Sequence, residues 1–211
     1  MENNGIANSG SEITTNGDRN SIDSGVADVV SEFLQHKLSQ NGYQWNSPLI
    51  TRGAGNRHAK AGTALCALAD EFVSHYKDQF QDMCDQLDIR ADTMKPTIEG
   101  VANELFGEGI KWSRIVAFFV FGSELAVHCK DRNSFDLINI IAYSQSAYIS
   151  EKLLPWINDH GGWDKLKCDD EEGHFKKNYL GYFTFVCFLN LTIMLFVCYY
   201  KSALTEKFFS L

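Results

Sequence analysis

Positive charge is scarce in this chain. Lys and Arg number 19 against 27 Asp and Glu, a formal net charge of −8 over 211 residues. No basic stripe is available to release counterions from phosphate, which excludes a nucleic-acid partner. The six cysteines, at 66, 84, 129, 168, 187 and 198, contain no C-x-x-C pair and no zinc-like spacing with the six histidines. That usage reads as thiols in a reducing, cytosolic compartment, with no metal site. Catalytic signatures are missing as well: there is no G-x-S-x-G, H-E-x-x-H, Walker loop or G-x-G-x-x-G. Gly107-Glu108-Gly109 is a lone GxG that reads as a helix stop, and His128 and Cys129 adjoin on a helix and so face different directions. No enzyme and no cofactor are expected.

The first 24 residues, MENNGIANSGSEITTNGDRNSIDS, have almost no large apolar groups. They cannot offset the entropy of ordering and are expected to form a disordered tail. They also lack a basic region followed by an apolar run, so no secretory signal is read there. Charge is absent from one further stretch, YLGYFTFVCFLNLTIMLFVCYY at 179–200, which is long enough to cross a bilayer as a helix. Lys176 and Lys177 precede it, Lys201 follows, and tyrosines stand at both edges as interfacial anchors. A C-terminal membrane anchor over 177–201 is expected, the alternative being a buried core helix. The acidic run at 169–172 then serves as a solvated linker.

What remains is helical in pattern. Val26, Val29, Val30, Phe33 and Leu38 follow helical spacing, and Gly42 is a natural stop. Residues 43–58 read as loop. Ala61, Leu65, Leu68, Phe72, Tyr76, Phe80 and Met83 form one stripe drawn out over six turns. Pro96 suits the first turn of the next helix, whose stripe is Ile98, Val101, Ala102, Leu105 and Phe106. A block over 110–130 follows, with IVAFFVF apolar on all sides, Arg114 at its mouth and Glu124 within it. Its apolar run of about a dozen residues suits a core helix better than a membrane span. A second long apolar helix spans 134–154, Pro155 is expected to break it, and PWINDHGGW forms a short helix closed by Gly161 and Gly162. No stretch alternates with period two at useful length, so the class is all-α. The 110–130 helix needs neighbours on every face.

Stripes 61–83 and 98–106 flank the arginine that opens the central helix. If they do not close fully on each other, they leave an apolar trough for the apolar face of a guest helix. Arg114 at its rim either pairs with a carboxylate of the guest or forms an internal salt bridge, for instance to Glu104 or Asp70.

At these residues the chain resembles the B-cell lymphoma-2 (Bcl-type) family of apoptosis regulators. NELFGEGIKWSRIVAFFVFG, within 101–122, resembles the first homology motif, whose usual core is N-W-G-R-I-V-A-F-F. PWINDHGGWDKL, within 155–167, resembles the second, and LCALADEFVSHYKDQFQDM, within 61–83, the third. VVSEFLQHKLSQNGYQW, within 26–45, resembles the fourth. With the anchor, the four motifs cover residues 26 to 200 in the family's order.

The resemblance implies a helical domain over 25–175, a bundle of about eight helices around a hydrophobic hairpin, plus the C-terminal transmembrane helix. It further implies a surface groove that holds the third-motif helix of pro-apoptotic relatives. Carried onto this sequence, that groove comprises Phe72, Tyr76, Phe80, Met83, Val101, Glu104, Leu105, Lys111, Trp112, Ser113, Arg114, Ala117 and Phe121. Arg114 matches the arginine that meets the guest aspartate. The pattern departs at the rim, where KWSR replaces N-W-G-R. Lys111 stands for the asparagine that helps hold the guest aspartate, and Ser113 for the glycine that admits the guest backbone. Ser123 replaces the second glycine of FGG, and Asp170 a frequent aromatic. Within the family, the strong fourth motif and the aromatic at 80 imply a pro-survival guard. The pore-forming executioner is the alternative, and a membrane-tethered scaffold the reading from another class. The location implied is the cytosolic face of the mitochondrial outer membrane, with the endoplasmic reticulum as alternative.

Overall fold

The structure, a computed structural model, describes residues 22–50, 59–131 and 134–166. Every regular element among them is helical: α1 (Ser24–Gln40), α2 (Ala59–Gln86), α3 (Ala91–Phe106), α4 (Trp112–Asp131), α5 (Asp136–Tyr148), a π-helical turn (Ile149–Leu153), α6 (Leu154–Asp159) and a 3₁₀ turn (Trp163–Lys165). The expected anchor at 177–201 and most of the expected N-terminal tail lie outside the described residues. Among the described residues no helix is long and apolar enough to cross a membrane.

Local chemistry explains the ends of α1. The Asp23 carboxylate accepts from the backbone N–H groups of Gly25 (2.9 Å) and Val26 (3.0 Å), satisfying two donors that a helix start leaves without partners. Asp23 and Ser24, counted with the tail in the sequence, therefore cap and open this helix. At the other end Gly42 has φ 75°, which lets Tyr43 donate to the Leu38 carbonyl at 2.9 Å and closes the helix. The stop expected there is the one observed.

Helix α4 is the centre. Ile115, Val116, Phe118, Phe119 and Val120 are all fully buried, and α1, α2, α3 and α5 each pack against this helix. Phe33 of α1 meets Phe119 edge-on at 5.4 Å, and Phe106 of α3 meets Phe118 at 5.8 Å. An apolar surface on every side is thus matched by a neighbour on every side. From α5, fully buried Gln145 donates through Nε2 to the Phe118 carbonyl at 2.7 Å. A Cβ on Gly122 would lie 2.2 Å from that amide, so the glycine is what lets Gln145 lie against α4.

Two charges sit against this core. Lys37 of α1 is buried and its ammonium lies 2.5 Å from the Asp70 carboxylate of α2. Glu124 of α4 is mostly buried, and burial pushes its carboxyl above the usual range, an effect reduced by the nearby Lys37 and Lys77.

Three local expectations are corrected. Pro96 is not in the first turn: α3 begins at Ala91, where Arg90 N–H donates to the Thr93 hydroxyl at 3.0 Å, and Pro96 falls inside the helix. Pro155 does not break the chain, because the π-helical turn runs straight into α6, with Leu154 N–H donating to the Ile149 carbonyl. The wider turn relieves the clash a proline ring makes with the carbonyl four residues back. The stripe of α2 is not one straight helix either: Tyr76 has φ −130° and ψ 17°, a break in the middle of it. Beside the break the Ser74 hydroxyl donates to the Glu71 carbonyl at 2.7 Å, a side-chain bond that competes with the helical ladder.

Candidate functional site

The site is built from three helices. α4 forms its floor. α2 lies on α4, and α3 rests between α5 and α4, while α2 and α3 form no extended interface with each other. Two walls therefore stand on one floor. From α2 come Phe72, Tyr76, Phe80 and Met83, from α3 Val101 and Leu105, and from α4 Ala117 and Phe121. The Phe72 ring lies 5.1 Å from Tyr76 and 5.9 Å from Phe80.

All eight are buried, none more than 6% exposed. Each wall carries its apolar residues on one helical face, and leaving that face wet would cost about 25 cal/mol for every Å² exposed.

Arg114 stands in the first turn of α4, a place where the helix dipole disfavours a cation. The α3–α4 turn supplies the compensation. One guanidinium nitrogen donates to the Gly109 carbonyl at 2.7 Å, the other to the Glu108 carboxylate at 2.7 Å. Gly109 adopts φ 109°, a conformation that favours glycine, and so turns its carbonyl and its neighbour back toward the arginine. An internal salt bridge is thus present, but neither expected partner makes it. Glu104 is exposed, and Asp70 is engaged with Lys37. Glu108, read in the sequence as part of a helix stop, is the residue missed. Its signal was a carboxylate in a glycine-flanked turn just before an arginine at a helix start.

The remaining rim residues divide. Lys111 is exposed and Ser113 half-buried beside Arg114. The Trp112 ring packs edge-on against Trp156 of α6 at 5.4 Å and lies 6.5 Å from Trp163. Trp163 in turn meets Phe119 at 6.1 Å, and Trp156 stacks on His160 at 3.9 Å. This aromatic cluster clamps the start of α4 to the end of the chain's described part, fixing the helix that carries Arg114. No group of His, Cys, Asp or Glu among the described residues has metal-binding geometry.

Comparison with known proteins addresses the same region. The family model for apoptosis regulator proteins of the Bcl-2 family matches residues 65–163, which take in most of α2, all of α3 and α4, and the aromatic clamp. Bcl-2-like protein 1 of Homo sapiens is 31% identical over 183 residues, covering 65% of this chain and 78% of its own length. Apoptosis regulator R11 of Xenopus laevis is 33% identical over 155 residues, covering 65% and 76%. Apoptosis regulator Bcl-2 of Canis lupus familiaris is 28% identical over 181 residues, covering 65% and 77%.

Proposed function

This chain belongs to the Bcl-2 family of apoptosis regulators, and from that premise we propose that it restrains cell death by capturing the third-motif helix of pro-apoptotic relatives between α2 and α3. The observation that supports this most is the arrangement of two apolar walls on the α4 floor without an extended interface of their own. A guest helix supplies an apolar face to both walls at once. The break at Tyr76 gives the second half of α2 a point about which to move outward. Phe80 and Met83, which lie beyond that break, then pass from core contacts to guest contacts, so little apolar surface reaches water at any stage.

Arg114 fixes the guest's register through a carboxylate. Breaking a desolvated charge pair on one side costs roughly 2–5 kcal/mol, since the other charge is left unpaired. Arg114→Ala is therefore expected to weaken binding of third-motif peptides at least about tenfold, roughly 1.4 kcal/mol, with the helical circular dichroism unchanged. Calorimetry on a panel of such peptides decides it. Absence of binding by the wild type, or no loss on Arg114→Ala, overturns the groove assignment.

The proposal also has the uncharged stretch at 179–200 holding the chain on the cytosolic face of the mitochondrial outer membrane, with the endoplasmic reticulum as the alternative membrane. Its support is the length of that stretch and the lysines at 176, 177 and 201 that bound it.

A further inference from the structure

We infer that Glu108 is a built-in competitor for Arg114, an internal carboxylate that the aspartate of a guest helix must displace, and that it thereby sets the affinity threshold for acidic guests. This rests on the groove reading above. The geometry that carries it is the two-point grip on the guanidinium: Glu108 at 2.7 Å on one nitrogen and the Gly109 carbonyl at 2.7 Å on the other.

The two partners differ in what they lose on separation. The Arg114 side chain is only 18% exposed, whereas that of Glu108 is 86% exposed. The arginine cannot rehydrate in place, so it keeps a carboxylate at all times. Glu108 can, because it projects from a turn between two glycines and needs only to swing into water. Capture of an acidic guest is then an exchange of one carboxylate for another at a fixed guanidinium, with the Gly109 carbonyl holding the arginine in aim throughout. A guest with a neutral amide at that position leaves Glu108 where it is.

An ion pair with one partner this exposed is weak, so the threshold is modest. Freeing Arg114 should tighten an acidic guest about two- to fivefold. The test uses the full chain and its Glu108→Gln variant against a synthetic third-motif peptide, with its aspartate intact or replaced by asparagine, by calorimetry. Glutamine keeps the size of the side chain and removes the charge, and an exposed position in a turn leaves the fold unaffected. The expected result is an about two- to fivefold gain for the aspartate peptide and no change for the asparagine peptide. Equal gains for both peptides would mean that Glu108 acts only through the general charge of the rim, and a loss would mean that it touches the guest directly; either overturns the inference. Measurable wild-type binding with no change in the variant removes the inference alone. Absence of binding by both proteins removes the groove reading with it.

Discussion

The contact between Gly122 and Gln145 makes the most demanding test of the fold. Replacing Gly122 by alanine puts a Cβ 2.2 Å from both amide heteroatoms of Gln145 and 2.3 Å from its Cδ. Gln145 is fully buried on α5, with its Nε2 committed to the Phe118 carbonyl. Either the helices separate or the amide leaves its site. Overpacking a core costs about 1–3 kcal/mol, and a buried amide deprived of its bond about 1–3 kcal/mol more. Alanine returns about 1 kcal/mol in helix propensity over glycine. The net loss is about 1–5 kcal/mol, a fall in melting temperature of roughly 3–15 °C for a body of this size.

Urea unfolding followed by far-ultraviolet circular dichroism reads the change directly. The double variant Gly122→Ala, Gln145→Ala removes both the collision and the stranded amide. It should therefore lose less than the sum of the single changes, by at least about 1 kcal/mol, the coupling expected of residues in contact. A Gly122→Ala protein within about 0.5 kcal/mol of the wild type, or additive single changes, would refute the packing of α5 on α4 argued here.

Two other outcomes follow from charge and hydropathy. Glu124 has a carboxyl pKa raised by burial, so between its unfolded and folded values the native state binds the extra proton and stability falls as pH rises. Glu124→Gln should accordingly be more stable than the wild type at pH 7, with the gain vanishing as pH drops below the unfolded value near 4.5; an unfolding series across pH with no such convergence would contradict it. Deleting 177–211 should release the chain from membranes, and persistent association after carbonate washing would contradict the anchor.

Much of this fold is legible in periodicity because burial acts face by face. The α1 stripe, the all-round apolar core of α4 and the glycine stops at 42, 107–109 and 161–162 each follow from a local rule. The errors arise where a rule is local and its outcome is not. Pro155 signals a break, yet a widened turn upstream absorbs its ring. A kink at Tyr76 leaves the stripe of α2 unaltered in sequence, because it redirects the axis without moving apolar residues to another face. Trp112 beside a groove arginine fits either side of the helix end, and only the positions of Trp156 and Trp163 decide which. For Arg114, helical neighbours are easy to enumerate, but Glu108 reaches it through a turn whose shape depends on the positive φ of Gly109.

Burial of the lining residues changes how the rim residues act on the proposed reading. The apolar lining residues are already buried and the arginine is already paired with Glu108. Guest affinity is then a difference between two satisfied states, and a residue can alter it without touching the guest. Ser113 and Lys111 illustrate the two routes. Ser113 is half-buried on the first turn of α4, so its side chain matters in the complex, where the usual glycine would admit a closer backbone. Lys111 is exposed and lies just past the turn that holds Glu108. It adds positive charge on the path of an approaching aspartate, which favours encounter more than it strengthens the final pair. On the proposed reading, selectivity therefore divides between a steric limit at 113 and an electrostatic exchange at 108 and 114, and only the second is sensitive to salt.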